Sequence, residues 1–151
     1  MRLRRLVALL PLALTACGYN TIQTYDEKAN AAKQQIEVQL QRRADLVPNL
    51  VEVVRGQAKQ ELEVFTQVAK ARSGLVDAVQ KGDPRGMAEA NEQLTTAMRG
   101  LMIQVEAYPQ IKSDQAFLRL QDELTGTENR IAVSRTDLNG AVETYNTYIR
   151  K

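Results

Sequence analysis

Any chemistry in this 151-residue sequence must come from a short vocabulary: histidine and tryptophan are absent, and there is one cysteine, Cys17. No disulfide can close within the chain, and zinc or haem sites that need imidazole are excluded. The Ser-His-Asp and Cys-His mechanisms fall for the same reason, since both need an imidazole base. Ser-Lys chemistry has no Ser-x-x-Lys spacing to rest on. Glu106, Glu123, Glu128 and Glu143 suggest a di-iron carboxylate bundle, but that class uses Glu-x-x-His pairs. An all-carboxylate site for a hard cation stays open, yet helical glutamates are far more often solvated or paired with lysine and arginine. The four methionines read as gap fillers of a helix stripe and the start residue, not as a copper site. Five tyrosines and two phenylalanines are too few for platforms that stack single-stranded nucleic acid. The expectation is no catalytic residue, no metal, no cofactor and no enzyme.

The cysteine is the exception, because of what precedes it. Arg2, Arg4 and Arg5 form a basic head; Leu6 to Leu14 is an apolar run interrupted by Pro11; Thr15 and Ala16 are small. These are the parts of a secretory signal. As a membrane span the run fails, since about nine residues reach about 14 Å against roughly 30 Å of hydrocarbon. Leu14-Thr15-Ala16-Cys17 resembles the lipobox of bacterial lipoproteins. The resemblance implies cleavage before Cys17, a diacylglycerol on its sulfur and acylation of the new amine. Two or three chains meet the requirement of more than one lipid for lasting attachment. An ordinary signal with an incidental cysteine is the alternative, but the sequence's single cysteine falls where the pattern needs it. Residues 1–16 are therefore expected to be removed and residues 17–20 to form a lipidated N-terminus with a short tether. The protein is expected on the exported face of the cell envelope, held to membrane lipid through Cys17. Gly18, rather than Asp, favours the outer membrane where the source has one.

Removing the three arginines of that segment leaves 17 basic side chains against 18 acidic ones, a net charge of −1. No nucleic-acid or anionic-lipid footprint is expected from such a balance. From Thr21 onward Ala, Leu, Gln, Glu, Arg and Lys dominate, the composition of helices.

The apolar positions set those helices out. Ile22, Tyr25, Ala29, Ala32, Ile36 and Leu40 predict a first helix over 21–44. Val47, Leu50 or Val51, Val54, Ala58, Leu62, Phe65, Val68, Arg72, Leu75 and Val79 predict a second to about 80. Met87, Asn91, Leu94, Met98, Leu101, Val105 and Tyr108 give a third. Phe117, Leu120, Leu124, Thr127, Ile131, Ser134, Leu138, Ala141 or Val142, Tyr145 and Tyr148 give a fourth. No stretch sustains period two, so no sheet is expected. Asp45 is expected to cap the second helix with Pro48 in its first turn. Gly82-Asp83-Pro84 reads as a stop and restart: glycine for a left-handed C′, aspartate for an N-cap, proline for the first helical position. Tyr108-Pro109 should end the third helix, and Ser113 or Asp114 should cap the fourth. A kink at Gly56 or Gly74 splitting the second helix, or a projecting coiled-coil-like pair, are alternatives the spacing leaves open. Short connections make neighbours antiparallel, and amphipathic helices must bury their stripes together. The expected fold is all-α, an elongated antiparallel up-and-down four-helix bundle over residues 21–151, close to the membrane.

Three runs carry a resemblance. The first is Gln39-Leu40-Gln41-Arg42-Arg43-Ala44-Asp45-Leu46-Val47-Pro48-Asn49-Leu50-Val51 with Gly56. The second is Glu106-Ala107-Tyr108-Pro109 with Lys112. The third is Phe117, Leu120-Gln121, Leu124, Thr127-Glu128-Asn129-Arg130-Ile131-Ala132, Arg135, Asn139 and Tyr145-Asn146. Together they resemble the LemA family of bacterial envelope proteins across nearly all of residues 21–151. The resemblance implies a helical bundle with the membrane at its N-terminus and no established reaction. Departures are Lys33 in place of a tryptophan, Gln57 and Leu138 in place of tyrosines, a lipidation signal where a membrane-spanning anchor is usual, and an end at Arg150-Lys151 where a Phe-Pro pair and tail usually follow.

Among the motif residues, Arg42, Arg43, Asp45, Pro48, Asn49, Tyr108, Pro109, Lys112, Glu128, Asn129 and Arg135 are candidates for contact with a partner. At the Arg42-Arg43 junction the preferred reading is structural, a corner in which arginines tie helix-end carbonyls and Asp45 caps N–H groups. Asn91, Thr127, Ser134 and Arg72 lie in apolar stripes, where polar groups usually fix register. The sequence favours a non-enzymatic anchored bundle that binds or scaffolds another envelope or membrane protein. The alternative, a small-molecule or ion-binding bundle with a sensing or transport-accessory role, requires a pocket lined by polar groups from at least two helices.

Overall fold

Steps of three and four between apolar residues place them on one helical face, and the computed structural model carries helices where those stripes run. It describes residues 2–58 and 62–150, with side chains from Asn20 onward. The elements are α1 (Arg2–Gln57), α2 (Leu62–Lys81), α3 (Pro84–Val105), α4 (Pro109–Lys112) and α5 (Gln115–Ile149). The described residues contain no strand. Leu14, Thr15, Ala16 and Cys17, on which the lipidation reading rests, lie outside the residues whose side chains are described.

Two compact units divide the chain, one of residues 35–133 and one of residues 1–34 with 134–151. The first holds the core. Leu40, Ala44, Val47, Leu50 and Val54 of α1 are buried, as are Phe65, Val68 and Leu75 of α2. Leu94, Leu101 and Val105 of α3 join them, with Ile111 of α4 and Phe117, Leu124 and Ile131 of α5. Each fully buried aliphatic side chain contributes about 1.5–3 kcal/mol, so these faces hold the helices together. In the other unit α1 and α5 meet at an aromatic pair: Tyr25 and Tyr148 sit edge to face, centroids 5.4 Å apart. The Lys28 ammonium lies 5.8 Å from the Tyr25 ring centroid.

Punctuation sets several boundaries as expected. Gly82 has φ 64°, a left-handed conformation that glycine adopts without cost. Asp83 caps α3 by accepting from the Arg85 N–H at 3.2 Å and the Gly86 N–H at 2.9 Å. Pro84 takes the first helical position. Asp114 Oδ1 accepts from the Ala116 and Phe117 N–H groups at 2.7 and 3.1 Å, capping α5. The third helix closes earlier than expected, at Val105, and Pro109 opens α4. Backbone bonds from Glu106, Ala107 and Tyr108 to carbonyls three residues back tighten the corner between them.

The first junction is a correction. Residues 45–48 do not separate two helices, because α1 runs through them to Gln57 and the chain breaks between α1 and α2 instead, after Gly56. Asp45 is no cap; its carboxylate accepts from Gln41 Nε2 at 2.9 Å, one turn back. Pro48 sits inside the helix, where it cannot donate to the carbonyl of Ala44 four residues earlier. That carbonyl is not orphaned: Arg72 Nε, from α2, donates to it at 2.7 Å. The guanidinium replaces the N–H that proline lacks, which lets the helix continue. Across the α1–α2 break, the Arg55 guanidinium lies 5.3 Å from the Phe65 ring centroid. Gly74 interrupts nothing, lying within α2.

Candidate functional site

Arg43 follows Leu40 by three residues and precedes Val47 by four, so its position in α1 faces the core. Its side chain is 3% exposed. A guanidinium so placed costs several kcal/mol unless paired and hydrogen-bonded, and here it is both. Nη1 donates to Asn91 Oδ1 and, at 3.0 Å, to Thr95 Oγ1; Nη2 donates to the carboxylate of Glu128. Thr95 Oγ1 in turn donates to the Asn91 carbonyl at 2.9 Å. One side chain of α1 thereby ties α3 to α5.

Arg42, the next residue, points away and pairs in the open with Glu123 at 2.6 Å. Arg42, Asp45 and Asn49 line one side of an open groove of about 650 Å³, with Val38, Leu46 and, from α2, Val79 as its apolar residues. Val38 is 58% exposed. The double-arginine motif is therefore divided: Arg43 faces inward to a polar network, while Arg42, Asp45 and Asn49 share an outer groove. The expected corner of arginines on helix-end carbonyls is absent. The arginine that reaches a carbonyl is Arg72.

The remaining candidates do not gather into one place. Pro48 is half-buried. Lys112 pairs with Glu106 at 2.7 Å across the corner between α3 and α4, where Tyr108 is half-buried and Pro109 exposed. Asn129 is exposed beside Glu128 in sequence, and Arg135 is half-buried in the other unit. Of the four glutamates, three are held in ion pairs, with Arg42, Arg43 and Lys112. No group of three or more potential metal ligands occurs among the described residues. Of the register candidates, Asn91 does bridge helices through Arg43, while buried Thr127 turns its hydroxyl to Glu123 O of its own helix at 2.8 Å.

Beside Arg43 the surface opens into a cleft of about 280 Å³ between α3 and α5. Thr95, Arg99, Gln121, Thr125 and Glu128 supply its polar lining, and Met98, Met102 and Leu124 its apolar wall. Thr95, Arg99, Gln121 and Thr125 were not among the sequence candidates. Their signal is a polar ladder: Asn91, Thr95 and Arg99 recur every fourth residue, and Gln121, Thr125 and Glu128 at four and three, so each set shares one helical face.

The structure is an all-helical protein whose core is tied by the inward arginine of a double-arginine motif, and comparison with known proteins gives its class a name. The sequence model of the LemA family matches residues 32–151, and the chain belongs to that family. It is similar to magnetosome protein MamQ 2 of Paramagnetospirillum magneticum, 32% identical over 164 residues that cover 93% of this chain and 60% of that protein. Magnetosome protein MamQ of Magnetospirillum gryphiswaldense is 30% identical over 157 residues, covering 88% of this chain and 57% of that protein. The chain thus spans less than two-thirds of the length of these relatives. Among its described residues no helix is long and apolar enough to cross a membrane.

Proposed function

We propose that this protein is a lipid-anchored helical bundle of the bacterial cell envelope that binds or scaffolds another envelope protein and catalyses no reaction. In this reading residues 1–16 are removed, Cys17 carries the acyl chains, and the helical segments of residues 35–133 run up and down as an antiparallel four-helix bundle. The observation that carries it is the division of the Arg-Arg motif. Its inward residue, Arg43, is committed to Asn91, Thr95 and Glu128, and so is held away from any partner. Its outward residues, Arg42, Asp45 and Asn49, share a groove with exposed Val38, a mixture of apolar surface and charged rim that suits a protein partner.

Two experiments test the two halves. Changing Cys17 to Ala should leave an uncut, unacylated precursor; normal processing and unchanged membrane retention in that variant contradict the anchor. For the partner, a photoreactive amino acid at Asn49 in intact cells should give discrete crosslinked species that the same group at Glu92, exposed on α3, does not give. An identical diffuse pattern from both positions contradicts the groove as a contact surface.

A further inference from the structure

The cleft beside Arg43 has hydrogen-bonding capacity that the fold leaves uncommitted. Arg43 and Thr95 are engaged in the network described above. Arg99 is exposed at the rim and forms no ion pair or hydrogen bond among the described residues, leaving five N–H donors and a positive charge. The Gln121 carboxamide is likewise uncommitted among them. Glu128 uses Oε1 for Arg43, and its second oxygen still accepts. Thr125 donates to Gln121 O at 2.9 Å, which leaves its lone pairs available. Facing these groups are Met98 and Leu124, both buried, and half-buried Met102.

We infer that this cleft binds a small carboxylate with a short apolar side chain and a hydrogen-bond donor on the adjacent carbon, an α-amino or α-hydroxy acid. The charges select the anion. Arg43 and Glu128 neutralise each other, so the lining carries one net positive charge, that of Arg99. A carboxylate on that guanidinium, with Gln121 as a second donor, forms charge-assisted hydrogen bonds. The donor on the neighbouring carbon meets Glu128 Oε2 or Thr125, the acceptors left over. The apolar chain covers the two thioethers and Leu124, and methionines adapt to side chains of different shape. A volume of about 280 Å³ lies near the lower end for small-molecule sites and suits a small ligand. The proposal does not depend on the anchor or on a protein partner, and either can fail without the other.

The test uses the full chain in mild detergent, followed by NMR as ligand is added. L-leucine and 2-hydroxy-4-methylpentanoate are the two sources of the shared chemistry; 4-methylpentanoate lacks the donor and leucine amide lacks the carboxylate. At least one of the first pair should give saturable shifts in residues 95–102 and 121–128. Leucine amide and the Arg99→Gln variant should each weaken binding about tenfold, the loss expected for one charge-assisted contact, and 4-methylpentanoate should bind more weakly than its substituted relatives. Arg119→Gln, outside the cleft, should change nothing. No saturation by either acid up to about 10 mM, equal binding of leucine amide, or undiminished binding to Arg99→Gln overturns the assignment.

Discussion

At the residue scale, two arginines and a proline shape the helical core. Pro48 in mid-helix should cost about 3 kcal/mol or more, and the Arg72 bond to the Ala44 carbonyl offsets part of it. Arg72→Ala should therefore destabilise the protein by about 1–3 kcal/mol, the cost of an unsatisfied buried acceptor. In a Pro48→Ala background, where residue 48 again supplies an N–H, the same change should cost less by about 1 kcal/mol, as a double-mutant cycle in denaturant would show. Additive effects would break the link between the two residues. Glu128→Gln should cost about 1–3 kcal/mol, less than the loss of an enclosed partner, because the Glu128 side chain is 47% exposed. Equal stability of wild type and Glu128→Gln in urea would show that the Arg43 pair is not stabilising. The spacing Leu40, Arg43, Val47 turns Arg43 inward only when one helix carries all three, and the expected break at residues 45–48 hid this; its partners lie 48 to 85 residues away in sequence. The Pro48 break was misread for the same reason: the group that compensates for it, Arg72, belongs to another helix.

Helices are positioned by their stripes and punctuated by their caps, and at this scale the sequence is most legible. The stripes from Ile36 to Val54 and from Met87 to Val105 are buried at the expected spacing, and Gly82-Asp83-Pro84 and Asp114 act as written. Those signals are local, complete within one turn, and need no tertiary partner. Asp83→Ala should cost about 1 kcal/mol through lost N-capping, and Gly82→Ala should cost a similar amount because its left-handed backbone disfavours a Cβ. Thermal unfolding followed by circular dichroism checks both; unchanged midpoints would show that the α2–α3 turn does not limit stability. Leu101, fully buried in α3, should cost about 2–5 kcal/mol as Leu101→Ala. What the expected boundaries concealed was the division of the motif, since helical phase separates the two arginines only when α1 runs on through Pro48.

Across the whole molecule, burial is uneven. The unit of residues 35–133 contains the buried apolar residues, whereas in the other unit Ser134 is the one residue buried among those described. Amide hydrogen exchange should follow that difference, with slow exchange in α3 and in α1 near Leu40 to Val54, and faster exchange over residues 20–34 and 135–150. Uniform protection would mean that the second unit is covered in solution. The proposed anchor rests on the sequence only, on one cysteine in one context. The account stands most directly on the intact mass of the protein extracted from membranes of cells expressing the full chain. It predicts a polypeptide that begins at Cys17 and carries the added mass of a diacylglycerol and an N-acyl chain. A species beginning at Met1, or one cut near Cys17 without any acyl mass, would contradict it.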